Sequence, residues 1–87
     1  MKGVTMKIEY RTRGTCAEGI LLDIEDGVIA EARFIGGCHG NTQGIAALVR
    51  GADAREVAER LRGIQCGRRG TSCPDQLALA IDAALAQ

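Results

Sequence analysis

Apolar and polar residues alternate over residues 4–12, with Val4, Met6, Ile8 and Tyr10 on one side and Thr5, Lys7, Glu9 and Arg11 on the other. A period of two is that of a half-buried strand. Arg13–Gly19 interrupts it with two glycines, and alternation resumes with Ile20, Leu22 and Ile24 facing in and Asp23 facing out. Asp26-Gly27 then signals a hairpin. A two-residue turn centred on that pair would oppose Ile24 to Ile29 and place Glu31 and Arg33 on the face of Ile20, Leu22 and Ile24. A three-residue loop, Glu25-Asp26-Gly27, with Gly27 left-handed at a bulge, aligns Ile24 with Val28, Leu22 with Ala30 and Ile20 with Ala32. The hydrophobic pattern selects the three-residue loop. The third strand then runs from Val28 to near Ile35 and buries Val28, Ala30, Ala32 and Phe34.

After Gly36-Gly37-Cys38-His39-Gly40-Asn41-Thr42 the period lengthens. A short helix passes through Ile45, Leu48 and Val49 and stops at Gly51. Asp53 caps the next, with Glu56 three residues on in a capping-box arrangement, and Val57 and Leu61 form its apolar edge up to Gly63. In the last segment Leu77, Ile81 and Leu85 recur every fourth residue, with Ala80 and Ala84 in the same stripe. Pro74, the only proline, and Asp75 suit the first turn of that helix. Three strands followed by three helices predict one α+β domain over residues 1–87, an antiparallel sheet with helices packed on one face.

The chain has 87 residues, 46% hydrophobic and 25% charged, with one Phe, one Tyr and no Trp. This is a globular composition with a modest, alanine-rich core. Eleven basic and eleven acidic residues cancel, which with so few aromatics makes the chain a poor candidate for generic nucleic-acid binding by a basic face or stacked rings. No apolar run has membrane-spanning length, and Met1-Lys2-Gly3-Val4-Thr5 leads into no signal-peptide core, so a reducing cytosol is expected. There, four cysteines point to ligands or reactive thiols rather than disulfides.

All four cysteines fall in glycine-flanked stretches outside the core positions: Cys16 between the first two strands, Cys38 at the exit of the third, Cys66 and Cys73 ahead of the last helix. Cys73 stands where that helix begins, a setting that favours thiolate. No Cys-x-x-Cys knuckle is present, so spacing alone is a poor zinc signal. In an antiparallel sheet, however, the positions of Cys16 and Cys38 lie at the same end, and Cys73 arrives there with its helix. His39 is either an exposed histidine or a fourth ligand or proton shuttle. Arg68 and Arg69 are either a solvated pair or neutralise thiolates and a bound anion. Gly36, Gly37 and Gly40 are either turn residues or, given their density beside a cysteine, let the backbone approach a bound group closely. Gly37, His39, Gly40 and Arg68 are thus candidate cofactor contacts.

Thr71-Ser72-Cys73-Pro74-Asp75 spells TSCPD, and with Gly36-Gly37-Cys38-His39-Gly40-Asn41 the chain resembles, over nearly its whole length, the family named after that motif. Members of that family occur as small stand-alone proteins and as a C-terminal domain on some cobalamin-dependent ribonucleotide reductases. The resemblance implies metal binding through the cysteines. A more distant likeness is to iron–sulfur cluster assembly scaffolds, whose ligand cysteines occupy the places of Cys16, Cys38 and Cys73. The scaffold's Cys-Gly-Asp is Cys16-Ala17-Glu18 here, Cys38 precedes His39 rather than glycine, and Cys66 is additional. These departures favour a closed four-cysteine site.

The leading expectation is a non-catalytic module in which Cys16, Cys38, Cys66 and Cys73 hold Zn²⁺ or an iron–sulfur cluster. A second is a thiol-redox accessory of ribonucleotide reductase with Cys66 and Cys73 as its dithiol. A third is a plain structural domain. A stand-alone reductase is excluded, because that radical chemistry requires a much larger barrel. Ribonucleotide reductase or an iron–sulfur or redox protein is the expected partner.

Overall fold

Three strands, β1 (Thr5–Arg11), β2 (Ala17–Glu25) and β3 (Val28–Gly36), precede three helices, α1 (His39–Val49), α2 (Ala54–Leu61) and α3 (Cys73–Leu85). They are seen in a computed structural model that describes residues 5–15, 17–36, 39–65 and 70–86. The sheet is antiparallel in the order β1-β2-β3. Met6, Ile8 and Tyr10 oppose Ile24, Leu22 and Ile20, so the two alternating patterns meet on one face, as expected. Val4, assigned to the first strand, lies outside the described residues.

The hairpin register differs from the expected one. Asp26 and Gly27 both have positive φ, 53° and 79°, as a two-residue type I′ turn requires. Glu25 therefore pairs with Val28 and Ile24 with Ile29, not with Val28. The phase conflict that argued against this turn is removed one step later. Asp23 pairs with Glu31, which leaves Ala30 as the extra residue of a bulge, and Leu22 then meets Ala32 and Ile20 meets Phe34. Ile29 is consequently fully buried and Val28 exposed, while Ala32 returns to the core.

Helix α1 starts at His39, so Gly40, Asn41 and Thr42 are helical rather than part of a loop. It packs on β3 through Ile45 and Val49. Leu48, placed with them by the sequence reading, is 84% exposed, since it lies one residue, and so about 100° around the helix, from Val49. Asp53 caps α2 by accepting from Glu56 N–H at 2.9 Å. The helix ends before Gly63, whose φ is +88°. Helix α3 crosses β2 and β1 with α2 beside it. Ile20, Leu22, Ile24 and Ile29 from the sheet and Leu77 and Ile81 from α3 are the largest fully buried side chains. Each contributes roughly 1.5–3 kcal/mol of transfer free energy. The architecture is α+β, with the helices on one face. Among the described residues no helix is long and apolar enough to cross a membrane.

Candidate functional site

The start of α3 is held by its own side chains. Ser72 is the N-cap, in extended conformation, and its Oγ accepts from Asp75 N–H at 3.1 Å. The same hydroxyl donates to the Ile64 carbonyl at 2.6 Å. Pro74 sits in the first turn, where a missing N–H costs nothing. Both oxygens of the Asp75 carboxylate are used: Oδ1 accepts from Gly63 N–H at 2.7 Å and Oδ2 from the Thr71 hydroxyl at 2.5 Å. Thr71 Oγ1 in turn accepts from Gln76 Nε2 at 2.9 Å, and Gln76 Oε1 accepts from Arg13 N–H at 3.1 Å. Ser72, Asp75 and Gln76 are buried. Four adjacent polar side chains thus form one clamp.

The clamp gathers chain segments that each lead to a cysteine. Arg13 stands three residues before Cys16, and Gly63 and Ile64 stand three and two residues before Cys66. Cys73 itself lies within the clamp sequence. Gly14 reinforces the first link, since a Cβ there would lie 2.9 Å from Thr71 Cγ2, and its φ is +74°. Beyond it, the Thr12 hydroxyl donates to Ala17 C=O at 2.5 Å, closing the loop that carries Cys16. Ala17 pairs with Gly36, two residues before Cys38. The described chain on the approach to every cysteine is therefore linked, directly or through the sheet, to one end of the fold.

Cys73 is the first residue of α3, half-buried and in no disulfide. Gly40 is exposed in the first turn of α1, with open space where a Cβ would project. Cys16, Cys38, Cys66, Gly37, Arg68 and the imidazole of His39 lie outside the described residues. Among the described residues no three His, Cys, Asp or Glu side chains gather as a metal site. Each Asp75 oxygen already accepts one hydrogen bond, which commits the carboxylate to the clamp.

The sequence reading missed Thr71, Ser72 and Gln76, and credited Asp75 only with favouring the helix dipole. Ser72 and Asp75, three apart before an apolar run, were the available signal for a cap. The partners Gly63, Ile64 and Arg13 had none, because nothing in local patterning links residues 12 or 63 positions apart.

These observations define a small α+β domain whose last helix is clamped, at a cysteine, to the loops around it. The TSCPD domain model matches residues 2–85, and the chain belongs to that family. No curated protein and no solved structure matches it.

Proposed function

We propose that this domain is a non-catalytic metal-binding module in which Cys16, Cys38, Cys66 and Cys73 hold Zn²⁺ or an iron–sulfur cluster. The observation that carries this reading is the clamp: Thr71, Ser72, Asp75 and Gln76 fasten the approaches to Cys16 and Cys66 to the helix start that bears Cys73. Partly buried hydrogen bonds directed at three cysteine-bearing stretches are what pre-positioning of soft ligands requires. A bound metal would supply a covalent-strength link between those stretches, and its affinity would add to folding free energy. The TSCPD likeness makes a ribonucleotide reductase, or another iron–sulfur or redox protein, the partner to test.

The test is the metal content and colour of anaerobically purified protein, followed by single Cys→Ser variants. Brown protein identifies a cluster, and colourless protein with one zinc identifies a structural site. Cys73→Ser should abolish binding, and Cys66→Ser should be milder. Full metal retention by Cys73→Ser would overturn the reading. A second reading has one observation in its favour: Ser72 Oγ to Ile64 C=O at 2.6 Å and Gly63 N–H to Asp75 at 2.7 Å draw together the chain ahead of Cys66 and the chain around Cys73. On that reading the two thiols are a redox dithiol, and the protein purifies free of metal with a reversible disulfide between them.

A further inference from the structure

We infer that β1 is a dimerisation edge, which pairs antiparallel with β1 of a second copy about a two-fold axis at Ile8 to give a continuous six-stranded sheet. The sheet has two edges, and they are treated differently. That of β3 is covered at its start, where Ile29 N–H donates to Ala52 C=O, Gly51 N–H donates to Ile29 C=O and Val28 bridges to Asp53. It is also kinked by the bulge at Ala30. That of β1 runs seven residues in unbroken register with β2, with no proline or glycine. No inward charge protects it: the inward residues are Met6, Ile8 and Tyr10, all left half-buried while their partners Ile24, Leu22 and Ile20 on β2 are fully buried. Proteins ordinarily blunt such an edge with a bulge, a proline, an inward charge or charged residues along it. Of these β1 has only the last, Lys7, Glu9 and Arg11, and these bear both signs.

Charge then selects the occupant and the register. Thr12 N–H donates to Glu18 C=O, so the even-numbered residues of β1 direct their backbone groups toward β2 and Thr5, Lys7, Glu9 and Arg11 direct theirs outward. A new ladder must therefore pair odd residues with odd residues. Centred on Ile8, it opposes Lys7 to the second copy's Glu9, twice by symmetry, and Thr5 to the second copy's Arg11. Sliding two residues one way opposes Lys7 to Lys7. Sliding two the other way opposes Glu9 to Glu9 and Lys7 to Arg11. Only the Ile8-centred register uses the whole strand and makes both charge pairs attractive, since like charges directly opposite are destabilising. The two-fold keeps the helices of both copies on one side, so Met6 meets the second copy's Tyr10 and Ile8 meets its counterpart, covering the half-buried row.

The test is sedimentation of the full chain over a broad concentration range, with Lys7→Glu and Glu9→Lys. The wild type should dimerise, and each variant alone should dimerise about tenfold more weakly or worse, because both symmetric pairs become repulsive. Mixing the two variants should restore a dimer containing one copy of each, in which both pairs across the axis again join a carboxylate to an ammonium. Both positions are exposed, and melting curves check that each variant folds. Should either fail to fold, the wild-type sedimentation decides. A monomeric wild type, single variants that dimerise as well as wild type, or weakened variants that do not recombine on mixing would each overturn the proposal.

Discussion

Gly14 and Gly27 both hold positive φ, +74° and +79°, yet a methyl group at Gly14 would meet Thr71 Cγ2 at 2.9 Å while one at Gly27 would meet nothing within 4 Å. Gly27→Ala should therefore cost only the left-handed backbone penalty, about 1–2 kcal/mol. Gly14→Ala should cost visibly more, because the side chain that must yield is tied to Asp75 and Gln76. Thr71→Ser keeps the hydroxyl and removes the methyl, so urea unfolding of Gly14→Ala in that background should give back the excess. If the two alanine variants unfold alike, Gly14 and Thr71 are not in the contact described. Leu48, by contrast, is 84% exposed, and Leu48→Gln should change stability by no more than about 0.5 kcal/mol.

At the scale of elements, the two capped helices allow a direct comparison. Asp53 accepts one hydrogen bond at an exposed helix start, and Asp53→Ala should cost about 1 kcal/mol. Ser72 caps α3 and also satisfies the Ile64 carbonyl. Ser72→Ala removes both links, and should cost about 2–3 kcal/mol by thermal or urea unfolding. Equal costs would show that the Ile64 contact adds nothing. The elements themselves were legible in the sequence because β1, β2 and α3 each keep a strict period. The register of the β2–β3 hairpin was not. Pattern matching assumes an unbroken phase, and the bulge at Ala30 lets an Asp-Gly turn and the inward set Ile20, Leu22 and Ile24 coexist. For the candidate site, Cys73 at a helix start was read correctly from Pro74 and Asp75. Its supporting clamp was legible only in the local Ser72–Asp75 spacing, because the links to Arg13 and Gly63 span 63 and 12 residues. Cys16, Cys38 and Cys66 lie outside the described residues.

For the whole molecule, the largest buried side chains meet where the sheet packs on α3, with α1 on β3 and α2 on α3 completing the core. Leu77 and Ile81 are completely buried against Ile20, Leu22 and Ile24. Ile81→Ala should cost about 2–5 kcal/mol, a large share of the roughly 4–13 kcal/mol expected for a domain of this length. If the metal reading holds, a chelator should lower the melting temperature of the wild type and leave that of metal-free Cys73→Ser unchanged, since a ligand that binds only the native state stabilises it by mass action.

The hydrogen bond from Arg13 to Gln76 joins residues 63 positions apart, and that span sets an order of events. Every strand leaves the ribosome before α3 does, so the sheet waits with Ile20, Leu22 and Ile24 uncovered until Leu77 and Ile81 arrive. Closing so long a loop is slow relative to forming the hairpin or α2. Cys73 joins the approach to Cys16 only in that closing step, whereas its links to the approach to Cys66 close over 8 and 12 residues. Any ligand shared between Cys73 and Cys16 is thus acquired only after α3 has been made, and until then the apolar face that α3 covers is open to other chains.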